Sequence, residues 1–390
     1  MKIIVLGCGN IGRVAAEDIA ENLPLAEVVM ADVDENRARE AASQIRLKNI
    51  SWAVADATNH MELASILKSY DVVVGALPGE LGYQACKASI TAKVDMVDVS
   101  YMPEDVMTVN DAALKAKVSI VPDCGMSPGL GSILVGHAVS KLDEVKKVHM
   151  LNGGLPEKPV PPMGYVITWS VKDLIDMYSR NVNVVRDGKV IQVEAMGGLE
   201  KIVFPGVGKL EAFYTDGLRT LLHTVKAKDM WEKTLRYPGH VEQIKLLKNL
   251  GFFDEKPMEV DGITVCPREV TAKLLERKLR RRGIRDVAAM LVEVSGTKNG
   301  KPIKYTYHVL DRYDKKRQVT AMARTTAYTA STVAQLLAEK AIEEKGVVPP
   351  EKLGMNKELF EKFTGKMKKN RILIKEEKDD AAKYAPREKT

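Results

Sequence analysis

Three glycines and an aspartate are spaced for one kind of chemistry, the binding of a dinucleotide. The chain begins Met-Lys-Ile-Ile-Val-Leu-Gly7-Cys-Gly9-Asn10-Ile11-Gly12, and Asp32 follows twenty residues after the last glycine, at the end of Val28-Val-Met-Ala. Between a strand and a helix, Gly7 permits a tight turn, Gly9 lets the backbone approach a pyrophosphate, and Gly12 lets the helix pack on the strand. The N–H groups that open the helix, at Asn10 and Ile11, would hold the phosphates. Asp32 would accept hydrogen bonds from the adenosine ribose and repel a 2′-phosphate, so NAD is expected over NADP. Arg37 and Arg39 could offset that repulsion, but their positions suit the exposed face of the next helix. FAD shares the fingerprint, yet no second flavin-contacting motif is visible.

The elements that must carry these residues alternate. Strands are predicted at residues 2–6, 27–31, 51–54, 71–76, 95–99 and 119–122, with helical segments between them. Repeated βαβ units imply a doubly wound parallel sheet of the Rossmann type, with ligands beyond the carboxyl ends of its strands. That edge would bring Asp56, Ala76, Leu77, Pro78, Ser100, Tyr101, Asp123 and Gly125 around one crevice, with Ser127 just beyond. Each of these could also be an ordinary turn residue.

After Met126 the pattern changes. Strand-like runs at 145–151, 184–186, 189–193, 259–260, 263–265, 288–295 and 302–310, with turn signals such as Lys298-Asn-Gly-Lys301, imply an inserted α+β domain on a mostly antiparallel sheet. The expected organisation is therefore a Rossmann domain at 1–125, an inserted domain at 126–324, an amphipathic helix at 325–350 returning to the first domain, and a charged, loosely held tail at 351–390.

Composition narrows the function classes. There are 59 basic and 52 acidic residues, a net charge of +7, which is a mixed surface and not a nucleic-acid stripe. The run Arg277-Lys-Leu-Arg280-Arg281-Arg282 fits a solvated helix face or an anionic partner. Four scattered cysteines without C-x-x-C spacing fit a reducing, cytoplasmic setting better than a disulfide framework or a zinc site. No apolar run is long enough to span a bilayer, the start reads as a core strand and not a signal peptide, and no histidine has a partner at metal-ligand spacing, so neither membrane nor metal is expected.

Several segments together resemble the saccharopine dehydrogenase-like family. They are the opening fingerprint, Asp71-Val-Val-Val-Gly-Ala-Leu-Pro78, Val97-Asp-Val-Ser-Tyr101, Val121-Pro-Asp-Cys-Gly-Met-Ser-Pro-Gly129, Lys233-Thr-Leu-Arg-Tyr-Pro-Gly-His240 and Met322-Ala-Arg-Thr-Thr-Ala-Tyr328. The resemblance is greatest to the lysine 6-dehydrogenase branch, with Lys233–His240 and Gly346–Glu351 its more specific marks. It implies NAD-dependent oxidative deamination of the lysine ε-amine to 2-aminoadipate 6-semialdehyde, which cyclises to a piperideine carboxylate, and a homodimer formed through the inserted domain. Ser127 stands where the saccharopine reductase branch has an aspartate, although Tyr101 matches that branch's active-site tyrosine.

Such chemistry needs a base, because an ammonium cannot release hydride from its carbon. His240 is the first candidate, since histidine titrates in the right range; it could instead be a turn histidine bonded to backbone. Tyr101 and Asp123 are the alternatives, Asp123 being equally suited to capping its turn. Arg236 offers a fork for the substrate carboxylate, or is paired within the protein. Asp216 could meet the α-ammonium, or sit in a β-turn. Tyr165 and Trp169 could wall the aliphatic stem, or be plain core. Two competing functions remain: a reductase of the saccharopine or carboxynorspermidine synthase type using NADPH, and a non-catalytic NAD-responsive binding protein.

Overall fold

Ile3-Ile4-Val5-Leu6 offers no polar side chain to solvent, and in the computed structural model, which describes residues 1–281 and 283–380, it forms a strand buried on both faces. This strand, β1 (Lys2–Leu6), is followed by β2 (Glu27–Asp32), β3 (Ile50–Val54), β4 (Val72–Gly75), β5 (Asp95–Asp98) and β6 (Ser119–Val121). All pair in parallel, in the order β6-β5-β4-β1-β2-β3. The crossovers are α1 (Asn10–Asn22), α2 (Glu35–Gln44), α3 (His60–Leu67), α4 (Gly79–Ala92) and α5 (Asn110–Ala116). The Rossmann expectation holds in element type and nearly in boundaries.

Beyond α6 (Leu130–Val139) the second sheet begins with β7 (Glu144–Pro156). It continues through α7 (Val171–Ser179), β8 (Val182–Arg186), β9 (Lys189–Val193), β10 (Glu200–Phe204), β11 (Gly208–Tyr214), α8 (Leu221–Thr224), β12 (Asp229–Arg236) and α9 (His240–Asn249). A small hairpin, β13 (Met258–Val260) and β14 (Ile263–Val265), precedes α10 (Pro267–Leu279), β15 (Asp286–Lys298) and β16 (Lys301–Arg312). The sheet is mostly antiparallel, but β12 and β7 run parallel at its centre. The strands β10, β11 and β12 carry no signal that the sequence reading used. β12 contains Glu232, Lys233 and Arg236, all buried, where an apolar alternation would be expected.

The returning helix is α11 (Ala321–Ala338), which packs on α1, β4 and β5 of the first domain and on β15 of the second. It is not amphipathic: 16 of its 18 residues are buried. Small side chains let neighbours approach all round, and the buried Thr325 and Thr329 hydroxyls donate to the carbonyls of Ala321 and Thr325 one turn back. The predicted charged tail is folded as far as residue 380. β17 (Gly346–Val347) extends the first sheet beyond β6, α12 (Pro350–Met355) and α13 (Lys357–Lys369) follow, and β18 (Ile374–Asp380) pairs with β16. Glu351 is wholly buried and accepts hydrogen bonds from Thr220 and Thr224. The last ten residues of that predicted tail lie outside the described residues.

Candidate active site

At the β1–α1 turn Gly7 has φ +95°, and a Cβ there would lie 2.3 Å from the Ala76 carbonyl oxygen. A Cβ on Gly12 would lie 1.9 Å from the Gly7 oxygen, so Gly12 props the turn from beneath. Gly9 has nothing within 4 Å of its would-be Cβ, and no side chain caps α1 there. Bare backbone and uncapped N–H groups therefore face open space, as a pyrophosphate requires. The adjoining groove has a volume of about 850 Å³, and Asn10, Ile11, Asp32, Asp56, Ala76, Leu77 and Pro78 line its first-domain wall with Gly7 and Gly9 of the turn. Asp32 is fixed at the end of β2 by bonds from Cys8 N (2.9 Å) and Asp34 N (3.1 Å). Asp56 accepts from the Thr58 amide and hydroxyl, which hold its carboxyl below the usual range. These residues fit a dinucleotide.

Thr168, Trp169, Ser170, Val171 and Asp173 of the second domain form part of the opposite wall. Behind them lies a second cavity, which shares Ile11, Val99, Tyr101, Thr168 and Trp169 with the groove. Its wall includes the carboxylate of Glu232, 3% exposed. The carboxylate accepts from Ser127 Oγ (3.0 Å) and Thr215 Oγ1 (3.4 Å), and burial pushes its pKa up to about 7. Arg236, also buried, stacks its guanidinium 4.3 Å from the Tyr165 ring centroid and donates to the Leu235 carbonyl, leaving Nε without a partner. Thr326 Oγ1 on the same cavity is likewise buried and unpaired. Buried polar atoms seldom stay unpaired, so this cavity is built to receive polar groups.

The family model described as the saccharopine dehydrogenase C-terminal domain matches residues 125–373, and that described as the saccharopine dehydrogenase NADP binding domain matches residues 3–121. The chain belongs to the saccharopine dehydrogenase family. Relatives include the Saccharomyces cerevisiae saccharopine dehydrogenase [NADP(+), L-glutamate-forming], 25% identical over 71% of this chain and 64% of that one. The Bos taurus mitochondrial alpha-aminoadipic semialdehyde synthase is 24% identical over 65% of this chain and 28% of its own length. The chain thus spans just under two thirds of the yeast relative and little more than a quarter of the bovine one. The solved apo structure of saccharopine dehydrogenase (L-Glu forming) from Saccharomyces cerevisiae shares the fold, with a TM-score of 0.76 at 19% identity, covering 97% of this chain and 99% of that one.

Within this saccharopine dehydrogenase fold the expected site residues separate. Tyr101, Asp216, Arg236, Tyr165 and Trp169 all line the second cavity, as do Gly125 and Ser127, which were expected to touch the cofactor. Tyr101 donates to the Asp216 carbonyl (3.0 Å) under the Arg180 guanidinium, and burial raises its pKa far beyond use as a base. Asp216 is paired with Arg219 (3.5 Å) and Arg180 (3.7 Å). Trp169 donates from Nε1 to Tyr165 Oη (3.1 Å).

Three expectations need correction. His240 lines neither groove nor cavity: its Nδ1 donates to the Met163 carbonyl (2.9 Å) and its Nε2 accepts from Tyr178 Oη (2.8 Å). Burial, then the nearby Arg236 charge, pushes its pKa down to about 3, and with both ring nitrogens bonded inside the protein it matches the turn-histidine alternative. Asp123 lies behind the cavity, 3.2 Å from Arg219 Nε, and Ser100 is buried against the Asp98 carboxylate, to which its N–H and hydroxyl donate. Glu232 and Arg219 were missed. A signal for Glu232 existed: Glu232, Thr234 and Arg236 stand at alternate positions, the spacing that puts polar groups on one face of a strand.

Proposed function

We propose that the protein is an NAD-dependent lysine 6-dehydrogenase, an oxidoreductase acting on a CH–NH2 group. The observation that carries this reading is Glu232, a buried carboxylate with a pKa of about 7 in a cavity that adjoins the dinucleotide groove and holds one arginine with an unpaired Nε. A lysine bound with its carboxylate on Arg236 would present its ε-ammonium to Glu232. Glu232 takes one proton, and the free amine can then push electrons toward the ε-carbon. NAD, when bound in the groove, supplies the hydride acceptor. The resulting iminium is already electrophilic; water adds to it, and ammonia leaves with the semialdehyde. Tyr165, Trp169 and Met177 provide apolar contact for the four-carbon stem.

The charge pattern argues for lysine over saccharopine. Lysine brings one carboxylate, and Arg236 is the arginine lining the cavity, whereas Arg180 and Arg219 are already neutralised by Asp216 and Asp123. Saccharopine brings three carboxylates. NAD is favoured because Asp32 projects its fixed carboxylate into the groove where a 2′-phosphate would lie. A second reading, an NADP-linked reductase of the saccharopine or carboxynorspermidine type, has Arg37 on its side, 3.6 Å from Asp32 at the same end of the groove. Supplying NAD or NADP with L-lysine, ornithine or saccharopine and following reduced cofactor decides between them. Reduction of NAD with lysine alone is expected; turnover confined to NADP with saccharopine would replace the leading reading.

The reading also includes a homodimer joined through the second domain, where Val190, Ile191 and Val203 are exposed on the strands and need cover. Light scattering after gel filtration tests it, and a monomer at micromolar concentration would refute it.

A further inference from the structure

The basic run at the end of α10 takes no part in the reaction just described, and its members do not share one environment. Arg281 donates from Nη2 to the Pro161 carbonyl (2.9 Å). Arg280 lines the dinucleotide groove from the second-domain side. Its Nε donates to Glu276 Oε1 at 3.2 Å and its Nη2 to the Trp169 carbonyl at 3.0 Å, while the side chain stays 43% exposed. Two of a guanidinium's five donors are thereby used.

The charge around the groove makes this placement informative. Among the described residues its lining carries the carboxylates of Asp32, Asp56, Asp173 and Glu276 against two cations, Arg37 and Arg280. Arg37 is held by Asp32 and Asp34, 3.6 and 3.9 Å away. Arg280 is anchored on the second-domain side, on the backbone of Trp169, whose ring meets Tyr101 edge-on with centroids 6.3 Å apart. A pyrophosphate brings two negative charges into a groove whose lining is already negative, and a fork with spare donors is what it needs.

We propose that Arg280 is a cofactor ligand contributed by the second domain: its guanidinium takes the dinucleotide pyrophosphate across the groove. Through the Trp169 carbonyl the same side chain seats the segment that walls both groove and cavity, so cofactor binding completes the substrate site. This rests on the reading of the groove as a dinucleotide site.

Calorimetric titration of the full-length protein with NADH, ADP-ribose, ADP and adenosine tests it. Arg280→Gln is expected to weaken NADH, ADP-ribose and ADP by about tenfold, the loss of one charge-assisted contact, and to leave adenosine unchanged. The salt dependence of ADP-ribose binding should flatten in the same variant. Arg280→Lys should recover part of the affinity, and unliganded Arg280→Gln should unfold at the wild-type temperature. Equal ADP-ribose affinity in variant and wild type, or an equal loss for adenosine, would overturn the assignment. So would a loss confined to NADPH, which would move the contact to a 2′-phosphate. Wild-type protein that binds none of these ligands would sink the dinucleotide reading itself.

Discussion

Among single residues, Glu232 is where the proposed chemistry is most exposed to test. Its ordinary pKa is 4.5 and burial raises it to about 7, so kcat/KM should rise with pH and level off above about 7. Glu232→Gln keeps the shape and is expected to lower kcat by roughly 10²–10⁴-fold, flattening that limb. Arg236→Met should act mainly on KM for lysine, by roughly tenfold or more, the cost of one charge-assisted pair; an unchanged KM would remove it from the carboxylate site. His240→Asn should leave the pH profile intact and cost about 1–3 kcal/mol of stability, because Tyr178 and the Met163 carbonyl lose partners inside the protein; a flattened profile would restore His240 as the base. Residues on local motifs were legible: glycine spacing dictates the turn, and Asp32 follows from it. Glu232 was legible only as a polar position on an alternating face, because its role depends on β12 lying beside β7 and on Ser127 arriving from the turn before α6, far away in sequence.

Secondary-structure elements follow their side-chain periodicity wherever packing is simple, and depart from it where polar side chains are buried. The parallel strands of the first domain were readable because nothing polar interrupts them. β12 was hidden because its cavity face carries Glu232, Thr234 and Arg236 and its other face Lys233, which donates to Glu200 (2.9 Å). α11 misled in the opposite sense: its Thr and Ser residues look like a solvent face, yet Thr325 and Thr329 bond to carbonyls of their own helix, and Ser331 (2.5 Å) and Gln335 (3.0 Å) donate to Asp18. Close contact between α6 and α12 gives a sharp test of this packing. A Cβ on Gly136 would lie 1.9 Å from the Glu351 carbonyl oxygen, backbone that cannot swing aside. Gly136→Ala should lower stability by about 1–3 kcal/mol or more, seen as a lower urea midpoint at unchanged slope. Wild-type stability would mean that α12 is not seated there.

Seen as one folded unit, the protein buries carboxylates well beyond the active site. Burial raises Asp98, Glu232 and Glu351 to about 7 and Asp173 and Asp286 to about 6. A carboxyl whose pKa is raised by folding stabilises fully below its unfolded pKa, and that contribution is lost as pH rises through the folded value. His240 and His149, buried and lowered, act oppositely below about 6.5, but they are outnumbered. Unliganded protein should therefore lose thermal stability between roughly pH 5 and pH 7 and change less above that. A melting temperature that climbs steadily across this range would contradict the raised values. Two kinds of sheet were legible from the change of strand pattern after residue 126. The return of the chain was only half legible, because pairing of β17 with β6 and of β18 with β16 joins segments far apart in sequence.

That return has a consequence in time. One face of the first sheet, with Val5, Val72, Val74 and Val97, shares its core with α11, which begins at residue 321, some 200 residues after β6. At about 5–20 residues per second of synthesis, a nascent nucleotide-binding half waits on the order of ten to forty seconds with the part of that face at β4 and β5, where α11 will pack, and the β6 edge uncovered. A fragment ending at β6 would never be relieved of either. It should aggregate or recruit chaperones, even though it carries every glycine of the fingerprint.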